Sequence, residues 1–244
     1  MADGWQQGRG AFGGLVLGAL ARAMELSIGD PSWPLRSLMG QIPAPVMPGR
    51  SELRVEELRR GSATSTLSAR LLQGGEVVAA ATAVFGAERL GDREWRTLQP
   101  PELPPWEEQP VLPVGPPFGP VFSRHLEYRA TKHLPFSGGS EPLAEGYLRA
   151  RQLSAGLGLA ELVALADGWW PAPFATEPAP RPMATVAFTF ELCVPLAGLV
   201  AWEPLLHRAR AIASHGGFFV ELRELWDLRG RLVALNQQTI AYIR

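Results

Sequence analysis

Apolar and polar side chains alternate strictly along Ala184–Val194. On an extended strand Thr185, Ala187, Thr189, Glu191 and Cys193 take one face, and Val186, Phe188, Phe190 and Leu192 take the other. Two pairs of longer runs, Ser62–Leu72 with Val77–Phe85 and Phe218–Leu228 with Leu232–Ile243, are joined by Gln73-Gly74-Gly75 and Leu228-Arg229-Gly230, and read as hairpins. The glycines that bracket the first strand of each pair, Gly61 with Gly75 and Gly216 with Gly230, are fourteen residues apart both times. Ahead of the hairpins lie two more extended segments, Leu53–Arg59 and Leu205–Ile212. In the second, His207-Arg208-Ala209-Arg210 reads as one wet strand face. Gly14–Leu26 and Leu157–Trp169 are Ala- and Leu-rich with nearly continuous apolar surfaces, the pattern of helices buried on most sides. One buried helix and several antiparallel strands, stated twice, is an internal duplication. A sheet wrapped around its helix buries such an element.

Between Pro100 and Pro120 nine of twenty-one residues are proline, which excludes a helix or a central strand and predicts a semi-rigid connector. The chain therefore divides into units 1–99 and 121–244 joined by 100–120, with a second Pro-rich loop over Pro171–Pro182. With 244 residues, 46% of them apolar, there is material for a core without staples. The 23 basic and 24 acidic residues leave a net charge of −1, so a phosphate-tracking nucleic-acid surface is not expected. A single cysteine, Cys193, excludes a disulfide framework and a Cys-rich zinc site, and His125, His133, His207 and His215 lack metal-ligand spacing. No metal or cofactor is expected. No apolar run is long enough to span a membrane, and Met1–Gly10 lacks signal-peptide character, which makes the cytoplasm the expected location.

Four stretches carry a resemblance. They are Gly10-Ala11-Phe12-Gly13-Gly14 opening the first helix, Ala164-Leu165-Ala166-Asp167 ending the second, Ala184-Thr185-Val186 opening a strand, and Gly230-Arg231-Leu232-Val233-Ala234 leading to Gln238. In order and spacing, from Gly8 to Arg244, the chain resembles the acyl-CoA thioesterase II (TesB-like) family of double-hotdog proteins. The resemblance implies an α+β double hotdog, an acyl-CoA substrate, and a water held on a thioester by Asp167, Thr185 and Gln238. Where better-known members carry Asp-His after the Thr, this chain has Ala187 and Phe188, and Gln41-Ile42-Pro43-Ala44-Pro45 replaces a His-rich strand.

The residues can also be read without the family. Asp167 follows ten residues of which only Glu161 is charged, and a carboxylate at a helix C-terminus opposes the dipole by about 0.3–1 kcal/mol. An apolar setting raises its pKa, as a general base requires; a solvated helix stop is the plainer alternative. Gln238 shares its strand face with Leu232, Ala234, Ile240 and Tyr242, so its amide must find partners or cost about 1–3 kcal/mol. Its counterpart by the glycine register is Ala83, which implies one site per chain. Asp167 lies too far from its own helix start for one carbonyl to touch both, which directs attention to Gly13 and Gly14 at the other helix's N-terminus as oxyanion donors, or else as glycines that permit tight helix–sheet packing. Trp169-Trp170 reads as an acyl-tunnel wall or as core. No Gly-x-Ser-x-Gly elbow is present. A non-catalytic acyl-CoA binding protein and an enoyl-CoA hydratase remain alternatives; the second requires a His five residues after the Asp, where Ala172 stands. Association into a homodimer or larger oligomer is expected from an apolar-rich sheet with exposed edges.

Overall fold

The computed structural model describes residues 1–89, 91, 95–152 and 156–243; Arg244, the last residue of the resemblance, lies outside the described residues. In chain order the elements are β1 (Gln6–Gln7), β2 (Gly10–Ala11), α1 (Gly13–Ile28), β3 (Leu35–Gln41), β4 (Glu52–Arg60), β5 (Thr64–Gln73) and β6 (Glu76–Gly86). The second half follows with β7 (Leu126–Lys132), β8 (Leu143–Ala150), α2 (Leu159–Asp167), β9 (Met183–Leu192), β10 (Leu205–His215), β11 (Phe218–Trp226) and β12 (Leu232–Tyr242). Each half is thus a hairpin, a helix and four strands.

Ten strands form one antiparallel sheet in the order β4-β5-β6-β3-β9-β12-β11-β10-β8-β7. The halves meet where β3 pairs with β9, Leu38 opposite Phe190 and Gly40 opposite Phe188. Inward side chains of both halves, among them Leu38, Leu67, Phe85, Phe188, Phe190 and Val233, close on α1 and α2 in one continuous core.

The helices run antiparallel in close contact. A methyl at Gly14 would stand 2.9 Å from the Ala164 Cα, and one at Gly18 would stand 2.6 Å from the Ala160 carbonyl oxygen. Their glycines therefore serve helix–helix packing rather than helix–sheet packing. This arrangement brings the α1 N-terminus to the α2 C-terminus.

The Pro-rich segment is more than a connector. It lies along the outer face of the second half, where Leu103 and Trp106 pack on Tyr147, Leu206 and Trp226. Tyr147 Oη donates to the Pro104 carbonyl (2.7 Å), and Arg129 Nη1 donates to the carbonyls of Trp106, Glu107 and Gln109. One edge of the sheet is charged: β4 carries Glu52, Arg54, Glu56, Glu57, Arg59 and Arg60 among its nine residues, and charge on an edge strand opposes pairing with another sheet along that edge.

Candidate active site

Asp167 ends α2 inside the protein, 8% exposed, with its carboxylate against the start of α1. That start is the N-terminus of a helix whose N-cap, Phe12, makes no side-chain capping bond. The Gly14 N–H faces the Asp167 carboxylate and favours its charged form, so the positive end of α1 offsets the unfavourable end of α2. Gly13 allows the approach, because a Cβ there would stand 3.0 Å from Asp167 Oδ2.

Gln238 is fully buried, and both amide hydrogens and the amide oxygen have partners. Its Nε2 donates to Asp167 Oδ1 (2.8 Å) and to Asn236 Oδ1 (2.9 Å), and its Oε1 accepts from Thr185 Oγ1 (2.7 Å). Thr185 reaches it through a local irregularity. The ladder pairs Ala187 with Thr239 but Thr185 with Ile240, so Val186 is an extra residue in β9. This bulge moves Thr185 off the face of Ala187 and Thr189, where plain alternation put it, and onto the inward face of Phe188, Gln238 and Ile240.

Three residues unread in the sequence complete the surroundings. Arg223, 2% exposed, donates from Nε to Glu221 Oε1 (2.6 Å) and from Nη1 to the Ala166 carbonyl (3.2 Å), with the same nitrogen 3.5 Å from Asp167 Oδ1. Glu221 Oε2 accepts from the Ala172 N–H (2.7 Å), tying the site to the Pro-rich loop after α2. Asn236 orients Gln238. Their signal was present, since Glu221 and Arg223 alternate on the same face as Phe219 and Leu225. In the first half the equivalent pairs, Leu67 opposite Ala83 and Ala69 opposite Ala81, are all apolar; in the second they are Glu221 opposite Gln238 and Arg223 opposite Asn236.

Burial pushes the Asp167 carboxyl above the ordinary range. Arg223, the Gln238 amide and the Gly14 N–H pull it back, and Glu221 adds to the upward push. His207 is not on a wet face. It points inward, 1% exposed, and only Arg208 and Arg210 point outward, to Glu224. Its Nε2 donates to the Ala166 carbonyl (3.2 Å), and burial with Arg223 nearby pushes its pKa down to about 3, so the ring is neutral. Cys193 lies at the surface, and partial desolvation of its sulfur, with the Glu191 carboxylate nearby, raises the thiol pKa. Among the described residues no three His, Cys, Asp or Glu gather as a metal cluster, and no helix is long and apolar enough to cross a membrane.

This architecture is that of a double hotdog, two sheet-and-helix units fused edge to edge. Among solved structures, a hot dog fold protein of unknown function from Alicyclobacillus acidocaldarius is similar at 22% identity, with a TM-score of 0.87 over 99% of this chain and 90% of that one. The acyl-CoA thioesterase II TesB2 of Mycobacterium marinum is similar at 21% identity, TM-score 0.78, over 95% and 89%. A TesB protein of Mycobacterium avium subspecies paratuberculosis is similar at 14% identity, TM-score 0.79, over 98% and 90%. A comparison with curated proteins finds no match. The acyl-CoA thioesterase N-terminal domain profile matches residues 1–86, and the acyl-CoA thioesterase C-terminal domain profile matches residues 98–242. The chain belongs to the acyl-CoA thioesterase family and is a thioester hydrolase.

Proposed function

We propose that the protein hydrolyses an acyl-CoA to free acid and coenzyme A by direct attack of a water held by Asp167 and Thr185, both positioned by Gln238. The observation that carries this reading is the chain of bonds Thr185 Oγ1 to Gln238 Oε1 and Gln238 Nε2 to Asp167 Oδ1, which draws three elements distant in sequence to one place. Thr185 gives its own proton to the amide, so its oxygen offers lone pairs to one water hydrogen while Asp167 accepts the other. The water oxygen then attacks the thioester carbon, Asp167 takes the proton, the carbon–sulfur bond breaks, and the proton passes to the departing thiolate. With the Gly14 N–H turned toward the base, the Gly13 N–H is the donor that this reading gives to the oxygen that becomes negative. The hydratase alternative is disfavoured because His207 is bonded to the Ala166 carbonyl and lies under Trp169, ring centroids 5.7 Å apart.

The test is thiol release from short, medium, long and aromatic acyl-CoAs, by the wild type and by Asp167→Asn. Loss of a general base lowers kcat/KM by about a hundredfold or more. The variant keeps its fold, because Arg223 retains Glu221 as its partner. An Asp167→Asn protein that hydrolyses at the wild-type rate removes Asp167 from the mechanism. Folded wild-type protein inert across the panel favours the non-catalytic binding protein.

A further inference from the structure

A cleft of about 300 Å³ opens beside the end of α2. Its floor is Tyr128 and Trp169, both nearly fully buried, and Trp170 and Phe174 stand as walls. Two contacts tie it to the proposed site. Tyr128 Oη donates to the carbonyl of Gly168 (2.9 Å), the lining residue that follows Asp167. Met183, on the cleft's other side, lies two residues before Thr185 on the same face of β9. The cleft therefore begins one residue from the base and two from the hydroxyl that would hold the water.

We propose that this cleft is the acyl subsite and that it selects a compact apolar acyl group, a single aromatic ring on a short spacer or a medium straight chain, over a long one. The inference rests on the thioesterase reading above and names the substrate class for it. Size sets the limit: a cavity of about 150 Å³ accommodates benzene, so twice that volume takes a ring and a few carbons. The walls set the chemistry. The Trp169 and Trp170 rings lie 4.3 Å apart and the Trp170 ring 6.0 Å from that of Tyr128, giving a broad aromatic surface on which a planar group stacks. Phe174 is braced by Phe136, ring centroids 5.0 Å apart, which keeps that wall in place. Arg181, about half exposed, stands at the rim, 4.2 Å over the Tyr242 ring, where a charged group remains in water.

Two measurements test this. Calorimetry with a non-hydrolysable phenylacetyl-CoA thioether and with coenzyme A alone reads binding without turnover, so it stands even if hydrolysis is not observed. Phe174→Ala is expected to weaken the thioether about tenfold or more and leave coenzyme A unchanged. Met183→Trp, which fills the cleft from the opposite side, is expected to do the same and covers the case in which the first variant fails to fold. In turnover assays the wild type is expected to favour phenylacetyl- and hexanoyl-CoA over hexadecanoyl-CoA by at least about tenfold, and Phe174→Ala to shrink that preference. Equal weakening of thioether and coenzyme A by both variants places the coenzyme arm in the cleft and overturns the proposal. So does a chain-length profile that neither variant alters.

Discussion

Two buried groups beside one another respond to pH in opposite directions. The pKa of Asp167 is raised by burial, so the folded protein holds its proton more tightly than the unfolded chain does. The stability this contributes is present below the unfolded pKa and is lost as pH rises through the folded one. His207 is the reverse case. Its pKa falls from 6.5 to about 3, so stability is full above the unfolded value and declines on acidification through that window, by at most about 1.4 kcal/mol per pH unit. His207→Phe, which keeps a ring against Trp169, is expected to flatten the acid side of the stability curve in denaturant titrations. An unchanged slope would show that other groups govern acid unfolding. Arg223 acts on the base directly. Removing its charge in Arg223→Gln raises the Asp167 pKa further, so the acid limb of kcat/KM moves to higher pH, whereas Arg223→Lys keeps the charge and the limb stays near its place. The Gln variant also leaves Glu221 unpaired, at a cost of about 3–5 kcal/mol. The position of the limb, rather than the yield of folded protein, is therefore the deciding readout.

The strands and helices that announced themselves are those whose pattern comes from burial on one side. Both hairpins and the segment before the second appear as β5–β6, β11–β12 and β10, because a half-buried strand must alternate and a tight turn needs glycine, while β4, exposed along nearly all its length, was legible only as an extended run. β3, β7 and β8 went unread: β3 has Gly40 among its inward positions and an irregularity between Leu35 and Ser37, and β8 is buried through five consecutive residues, whereas β7 does alternate, with Leu126, Tyr128 and Ala130 against Glu127, Arg129 and Thr131. Asp167, Thr185 and Gln238 were legible through the resemblance, and the polar amide of Gln238 on an apolar face was legible by itself. The route by which Thr185 joins them was not, because a bulge follows from the pairing of two strands and not from either sequence alone. Gly14 and Gly18 were visible as glycines, but their purpose depends on Ala160 and Ala164 of the other helix. A methyl at either position meets backbone at 2.6–2.9 Å, so Gly14→Ala and Gly18→Ala must push the helices apart, at about 1–3 kcal/mol each in thermal or urea unfolding. The two variants should differ in function. Gly14 also holds Asp167, and its substitution should lower kcat beyond what lost stability explains, whereas Gly18→Ala should keep the rate per folded molecule. Equal rates in both would detach the α1 N-terminus from the chemistry.

Duplication gave this chain two similar units, yet the polar chemistry resides in one of them and depends on the other. The inward quartet is Glu221, Arg223, Asn236 and Gln238 in the second half and Leu67, Ala69, Ala81 and Ala83 in the first, so at these positions the polar groups that the proposed mechanism needs stand in the second half. The first half instead lends its helix terminus to Asp167, and its leading segment is anchored across the boundary by Trp5 stacked on His125 and Phe12 on Phe122, ring centroids 3.9 and 3.8 Å apart. The β3–β9 ladder fixes the same boundary from the sheet side. A second, independent site in the first half would require burying charge among alanines and leucines, which costs several kcal/mol without partners. Calorimetric titration with the non-hydrolysable thioether should therefore saturate at one ligand per chain, whether the protein is a monomer or assembles. A value of two per chain would mean that the apolar half binds as well, and would break the link drawn here between the polar quartet and function. A value of one per two chains would instead show that a second copy closes the site, and would make assembly part of the mechanism rather than an accompaniment to it.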